Sequence, residues 1–280
     1  MGNSYLNLIV FIASTTFYYF ILKPSLTLKI LNNVEEYQQY MKSGYTNLGI
    51  YLFIVIITQI VINIYNITSD CGGNTVDNIG PAALLTFFPW SLIFGVLIIV
   101  LILYPGFKIA FSDVIGYFYV ANSANNLLTE LLIDKDVEDE MNQGNVDTKS
   151  KIAIQNAADI IIKIAGNRSI LINQIVPDNF NNFWTTLRPL MKTKFQLESP
   201  ETEDIKDKFF KIVVTRDNVG EAMWFIYTGI LVVSLVQLNI TNRGCVSDAA
   251  TMEKNYQAFL DDQKQLEEEN KKKTDVTYTV

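Results

Sequence analysis

The chain has 280 residues, a formal net charge of −7 and no histidine. Its acidic balance argues against a nucleic-acid-binding protein, because such proteins need clustered Lys and Arg to replace phosphate counterions. The lack of histidine excludes Ser-His-Asp catalysis and HExxH metal sites, and two cysteines alone cannot build a four-ligand zinc site. The sequence also has no GxxxxGK or GxGxxG phosphate-binding motif. We therefore expect no enzyme, no cofactor and no metal site.

The uncharged apolar stretch at residues 5–22 predicts a first membrane span. We expect it to be retained rather than removed as a signal peptide, because the MGNS before it carries no positive side chain and no clear small-residue cleavage site follows. Lys23 and Lys29 are the first cations of the chain and follow this span. The positive-inside rule therefore places the polar link at residues 24–44 in the cytosol and the N-terminus on the far side.

A second apolar stretch predicts a span at residues 47–65. Its polar side chains include no ionisable one; they are Asn47, Thr58, Gln59 and Asn63. Hydrogen bonds between helices explain such residues, and a polar pore lining is the alternative. The following segment, residues 66–80, has two aspartates and no cation, so we expect a loop on the far side.

The strongest membrane signal lies at residues 78–107, which hold no Asp, Glu, Lys or Arg. A bilayer's hydrocarbon core is roughly 30 Å thick and needs about 20 apolar helical residues to cross. A third span therefore fits at about residues 82–105. Pro89 should kink this span and leave one carbonyl without its partner. Trp90 and Tyr104 are candidate anchors at the membrane interface.

Residues 108–221 form the one large polar region and carry most of the Lys and Arg, which predicts a helical domain on the cytosolic side. Its first helix follows the third span and either lies along the membrane surface or packs within its own domain. The acidic run at residues 134–145 is interpreted as a solvated linker rather than a calcium loop, because Asp139 stands where an EF-hand needs Gly. A second helix is predicted at residues 150–165.

The rest of the polar domain carries shorter signals. The apolar run at residues 170–176 fits either a strand or a helix. Asp178 is a candidate N-cap for a helix whose Trp184 is assigned to the core rather than to a ligand site. A further helix is expected to begin at Thr202 or Glu203 and to run toward the last span.

The fourth and shortest span is predicted at residues 222–238, and a tail follows at residues 239–280. We expect the tail to form a helix over about residues 248–272. That helix carries a thin apolar stripe, formed by Met252, Tyr256, Phe259, Leu260 and Leu266. The stripe is either one face of a solvated single helix or a surface that docks a partner.

These elements predict an all-α integral membrane protein with four spans, three of them within residues 1–107. The second and fourth spans both run outward and both end in Asn-Ile-Thr, followed by SDC in one case and NRGC in the other. Cys71 and Cys245 therefore emerge on the same face of the membrane. We predict a disulfide between them, which requires an oxidising compartment. Two unrelated free thiols are the alternative.

Residues 88–124 read FPWSLIFGVLIIVLILYPGFKIAFSDVIGYFYVANSA and resemble a membrane protein of the large nucleocytoplasmic DNA viruses that infect algae and protists. The resemblance implies a component of the virion's internal membrane, made on membranes derived from the host endoplasmic reticulum and lying beneath an icosahedral capsid. It also implies contacts with capsid or core proteins. The stretch contains no catalytic motif, so the resemblance assigns no role to an individual residue.

We therefore expect a structural membrane protein that anchors a viral internal membrane to capsid or core proteins, in contact with the lipid bilayer and with no nucleic acid. A small multi-span channel or transporter is the alternative, but such proteins usually need ionisable residues within their spans or repeat symmetry. An enzyme acting on lipids or thiols is disfavoured by the lack of histidine and of a CxxC pair. The sequence leaves open whether the chain forms a homo-oligomer.

Overall fold

The structure is a computed structural model that describes residues 4–71, 75–132, 168–245 and 249–274. These residues are almost entirely helical; they hold no β-strand, only one isolated antiparallel bridge between Leu132 and Met191. Within them, four helical segments are long and apolar enough to cross a membrane, namely Tyr5–Leu22, Val34–Cys71, Thr75–Leu103 and Pro200–Arg243. The chain is therefore an all-α, multi-pass membrane protein, as its sequence predicts.

The helices are numbered here in chain order. Those of the first half are α1 (Ser4–Phe17), α2 (Leu28–Leu31), α3 (Val34–Cys71), α4 (Thr75–Pro89), α5 (Gly95–Leu103), α6 (Ile109–Phe111) and α7 (Tyr117–Leu131). Those of the second half are α8 (Phe180–Leu187), α9 (Thr193–Gln196), α10 (Pro200–Arg243) and α11 (Ala249–Thr274). Turns of π-helix lie at Tyr18–Leu22, Trp90–Phe94 and Ser112–Gly116, and turns of 3₁₀-helix lie at Pro105–Lys108, Arg168–Gln174, Pro177–Asn179 and Arg188–Leu190.

The four spanning segments run alternately up and down. Near one end of the bundle, the Asn7 side chain of α1 donates a hydrogen bond to Asn63 of α3. At the other end, Lys23 after the first span contacts Glu221 of α10. The second and fourth spans consequently run in the same direction, as predicted. We call the first of these ends the disulfide end, because Cys71 and Cys245 are bonded there, and the second the polar-domain end.

Two helices extend well beyond the predicted spans. Helix α3 has 38 residues and α10 has 44, so at about 1.5 Å per residue both exceed the roughly 30 Å hydrocarbon core. The predicted polar link at residues 24–44 contains α2 and the beginning of α3, so it is largely helical. The predicted loop at residues 66–80 was wrong, because its described residues belong to α3 and α4. Helix α3 begins early because the Asn33 side-chain oxygen accepts hydrogen bonds from the first free backbone N–H groups.

Aromatic side chains fill the centre of the membrane bundle. Phe11, Tyr51, Trp90 and Phe94 are fully buried, and the Phe11 and Trp90 rings lie 5.2 Å apart. The prediction of Trp90 as an interfacial anchor was wrong, because aromatic packing in this core holds the ring inside. Tyr104, by contrast, is exposed at the end of the third span. A π-helical turn, Trp90–Phe94, directly follows Pro89.

The polar domain has its own hydrophobic core. Helix α7 packs within this domain against the 3₁₀ turns and α10, which resolves the choice left open by the sequence. Trp184 lies in the core, as predicted, and residues 170–176 are mainly 3₁₀-helical rather than a strand. Asp178 does not cap α8; its carboxylate instead accepts a hydrogen bond from the Tyr37 hydroxyl at 2.9 Å. The predicted linker at residues 134–145 and the helix at residues 150–165 lie outside the described residues.

Helix α10 belongs to both cores. Its Phe209 and Phe210 are buried in the core of the polar domain. Further along the same helix, Phe225 and Val232 are buried in the core of the membrane bundle. The helix begins at Pro200, slightly before the predicted start, because the Ser199 side chain accepts the Thr202 N–H and proline suits the first helical turn. The predicted boundary between a polar domain and a fourth span at residue 222 is therefore not a break in the chain.

The tail helix α11 agrees with its prediction. It covers Ala249–Thr274, and the described members of its apolar stripe are mostly exposed; Tyr256, Phe259 and Leu266 are each more than half exposed. This exposure is consistent with both interpretations of the stripe.

The close approach of α10 to the Ser112–Gly116 turn generates a first prediction. A Cβ atom at Gly220 would lie 2.7 Å from the backbone nitrogen of Ser112, which cannot rotate away. We expect Gly220→Ala to lower the free energy of unfolding by about 1–3 kcal/mol through overpacking. Thermal unfolding of the purified protein in detergent measures the change.

Gly49→Ala is the matched control, because a Cβ at Gly49 of α3 meets no atom within 4 Å. This variant should be neutral or slightly stabilising, since alanine favours helix over glycine. Equal destabilisation by the two substitutions would contradict the packing described here.

Candidate functional site

Four charged side chains meet where the membrane bundle joins the polar domain. We call Lys23, Lys108, Asp217 and Glu221 the juxtamembrane cluster. Lys23 Nζ lies 2.5 Å from Glu221 Oε1, and Lys108 Nζ lies 2.8 Å from Glu221 Oε2 and 3.5 Å from Asp217 Oδ2. All four side chains are at least four-fifths buried. The cluster is therefore a buried network of two positive and two negative charges.

Three elements of the chain bring these charges together. Lys23 follows the π-helical turn that ends the first span, and Lys108 closes the 3₁₀ turn after α5. Asp217 and Glu221 are four residues apart on α10, so they share one face of that helix. The Tyr19 hydroxyl donates a further hydrogen bond to Glu221 at 3.1 Å. One carboxylate of α10 thus binds the ends of the first and third spans.

The two lysines differ in their electrostatics. Burial lowers the pKa of the Lys23 ammonium, and the attraction of Glu221 does not fully offset this effect. Burial also acts to lower the pKa of Lys108, but the attraction of Glu221 and Asp217 is larger and raises that pKa. Lys108 is therefore the firmly charged member of the pair.

A cavity of about 250 Å³ lies beside the juxtamembrane cluster. Its lining includes the two lysines, Asp217 and Glu221, together with Asp178 of the polar domain. Tyrosines from α3 and apolar residues of the membrane core complete the wall. The cavity thus combines charged, aromatic and apolar surface in one place.

Arg216 lies next to the cluster and has a different role. Its guanidinium is fully buried and donates hydrogen bonds to the backbone carbonyls of Ile172 and Ile175, the latter at 2.9 Å. Asp113 lies 3.6 Å away, and burial raises the pKa of its carboxyl although Arg216 acts to lower it. Arg216 therefore fixes the turn at Arg168–Gln174 to α10.

Polar side chains within the membrane bundle bond to one another. Asn63 donates to the Thr86 hydroxyl at 2.8 Å and accepts from Asn7 and Gln237, while Gln59 donates to the Asn7 carbonyl. The predicted hydrogen bonding between helices is thus confirmed for Gln59 and Asn63. The participation of Asn7, Thr86 and Gln237 in this network was not predicted, because a single polar residue in an apolar run does not indicate its partner.

The other predicted polar residues of the second span bond differently. Asn47 donates to the Leu22 carbonyl at 2.6 Å, which ties the second span to the first, whereas Thr58 bonds to carbonyls of its own helix.

The predicted disulfide is present. Cys71 at the end of α3 and Cys245 just after α10 are bonded, with their Cα atoms 5.1 Å apart. The signal that found the pair was the Asn-Ile-Thr sequence at the end of both spans. The disulfide and the juxtamembrane cluster therefore join α10 to its neighbours at opposite ends of the bundle.

No cluster of three or more acidic or cysteine side chains suited to a metal ion occurs within the described ranges. Comparison with models of known protein families, with curated proteins and with solved structures found no match to this chain.

Disulfide formation generates a second prediction. Gels of the wild-type protein should show a mobility difference between reduced and unreduced samples, and Cys71→Ser should abolish it. Maleimide should label the wild-type protein only after reduction. The crosslink spans 174 residues, for which the chain-entropy model gives an upper limit of about 5 kcal/mol of stabilisation. Two thiols that react with maleimide without reductant would refute the pairing.

The juxtamembrane cluster generates a third prediction. Glu221→Gln should lower the free energy of unfolding by about 3–5 kcal/mol, because it leaves two buried ammonium groups without their shared carboxylate. Thermal unfolding in detergent micelles measures the effect.

Glu203→Gln provides the control for this experiment, since Glu203 is exposed on the same helix. We expect it to change stability by less than about 0.5 kcal/mol. If Glu221→Gln were as mild as Glu203→Gln, the cluster would not be essential to the fold.

Proposed function

We propose that this chain is a structural integral membrane protein that anchors a membrane to an adjacent protein layer. The observation that carries the proposal is the continuity of α10, which passes from the polar domain into the membrane bundle without a break. Phe210 and Phe225 of this one helix are buried in two different cores. A partner bound to the polar domain is thereby connected rigidly to the bilayer.

The packing of the bundle supports an anchor over a channel. Large aromatic side chains, including Phe11, Tyr51 and Phe94, fill its centre and are fully buried. The charged residues of the juxtamembrane cluster lie at one end of the bundle and are paired with one another. A rigid, filled interior suits a protein whose task is to hold a position in the bilayer.

The resemblance of residues 88–124 suggests where such an anchor acts. We propose the internal membrane of a large nucleocytoplasmic DNA virus, assembled from endoplasmic-reticulum-derived membrane, with capsid or core proteins as partners. The polar domain then faces the protein layer. The disulfide end lies on the opposite side of the membrane, in an oxidising compartment.

Cross-linking mass spectrometry on the native membrane gives a fourth prediction and tests this proposal. Lys208 is exposed on the polar domain, and Lys192 is partly exposed there. We expect cross-links from both residues to soluble shell or core proteins, because they lie on the domain that faces the partner layer. Cross-links only between copies of this chain would contradict the anchoring role.

A channel is the second candidate, and the polar network around Asn63 is the observation that favours it. Asn7, Thr86 and Gln237 surround this residue within the bundle. Reconstitution of the purified protein into vesicles distinguishes the two candidates. An anchor should add no ion flux over protein-free vesicles, whereas flux that Asn63→Leu abolishes would establish the channel.

A further inference from the structure

The cavity beside the juxtamembrane cluster spans two chemical layers. Part of its lining is apolar and includes Ile98, Leu101 and Phe225 of the membrane core. Another part comes from the polar domain and includes Pro177 and Asp178. The charged cluster lines the same cavity, which therefore combines apolar and ionic surroundings. This combination matches the boundary between the hydrocarbon and headgroup layers of a bilayer.

The cavity reaches the molecular surface at that boundary. Five of its lining residues are exposed, namely Pro105, Gly106 and Ile109 after the third span, Tyr45 of α3 and Asp178 of the polar domain. Tyr104 and Phe107 next to this opening are also exposed aromatic residues. Exposed aromatic side chains at the end of a span are typical of the membrane interface. The opening therefore lies at the depth of the phospholipid headgroups.

Two kinds of charged groups line the cavity. Lys108 has three N–H donors. Among the described residues it pairs with Glu221 and Asp217, which leaves one donor for a ligand. The lining as a whole has two lysines and three carboxylates, so it does not favour a purely anionic ligand. It equally does not favour a simple cation, because Lys23 and Lys108 also line it.

A second feature suits a positively charged group. Asp178 is exposed at the cavity wall and accepts the Tyr37 hydroxyl. The rings of Tyr37 and Tyr40 are stacked with centroids 6.1 Å apart, and both line the cavity. A carboxylate beside tyrosine rings is a favourable site for an ammonium group, through charge pairing and cation–π attraction. The lysines and this group therefore suit the two opposite charges of one ligand.

We propose that the cavity binds the headgroup of a zwitterionic phospholipid. The phosphate contacts Lys108 and Lys23, and the ammonium group contacts Asp178 and the two tyrosines. The volume of about 250 Å³ is below the roughly 300 Å³ at which pockets for drug-sized ligands begin, so it fits a headgroup and not a whole lipid. The acyl chains lie outside the opening, against the apolar surface of the bundle.

Native mass spectrometry of the full-length protein tests the proposal. The protein is reconstituted into nanodiscs with equal amounts of phosphatidylethanolamine, phosphatidylcholine and phosphatidylglycerol, released in the instrument, and its retained lipid is identified. We expect one retained lipid per chain, with either zwitterionic lipid preferred several-fold over phosphatidylglycerol. Asp178→Asn should reduce this retention by about tenfold, because it removes one charge-assisted contact.

Asp178→Asn is an informative variant because its side-chain oxygen still accepts the Tyr37 hydroxyl while the charge is lost. Asp204→Asn is its matched control, an equally small change at an exposed carboxylate of α10.

Lys108→Met should also reduce lipid retention. The presence of its disulfide and its unfolding temperature report whether this variant folds. Preference for phosphatidylglycerol, no retained lipid, or equal effects of Asp178→Asn and Asp204→Asn would overturn the proposal. Binding of inorganic phosphate that blocks lipid retention would assign the site to free phosphate instead.

Discussion

The structure depends on one buried carboxylate, that of Glu221. It accepts hydrogen bonds from Lys23 and Lys108, which end the first and third spans, while it belongs to the fourth. In a buried setting such a network is under strict constraint, because an unpaired charge costs far more than the pair gains. The first and third spans must therefore end at the level where the fourth begins, and the polar domain follows directly beyond that level.

The disulfide and the juxtamembrane cluster hold α10 at its two ends. Between them the helix passes through a core of packed aromatic rings, and beyond the cluster it continues into the core of the polar domain. Arg216 adds a third connection by binding carbonyls of the turn at Arg168–Gln174. The membrane bundle and the polar domain are consequently one mechanical unit. Such a unit suits a protein that holds a membrane against a protein layer better than one that opens a path for ions.

The spans and the disulfide were predictable because each corresponds to a local pattern in the sequence. A run without charges predicts a span whatever packs against it, and two similar span ends predicted the pairing of Cys71 with Cys245. The residues between spans were predicted less well. Polarity at residues 24–44 indicated a link, but helix α3 extends through most of it because Asn33 caps an earlier first turn.

The candidate site was not predictable from local patterns. Lys23 and Lys108 each follow a span, and a cation in that place is normally assigned to solvent by the positive-inside rule. Their common partner lies about a hundred or more residues away along the chain, so only the packed helices bring the charges together. The spacing of Asp217 and Glu221 on one helical face was the signal available, since paired acids next to a span need cations. Trp90 was missed for a similar reason, because its burial depends on the rings of other helices.

Hydrogen–deuterium exchange along α10, measured on the protein in a bilayer, tests the central claim most directly. We predict slow exchange without interruption from Phe210 through Glu221 to Phe225, and faster exchange in the exposed helix α11. Rapid exchange confined to the residues around Arg216 and Glu221 would reveal a hinge between the two cores. That result would contradict the rigid connection between the polar domain and the membrane.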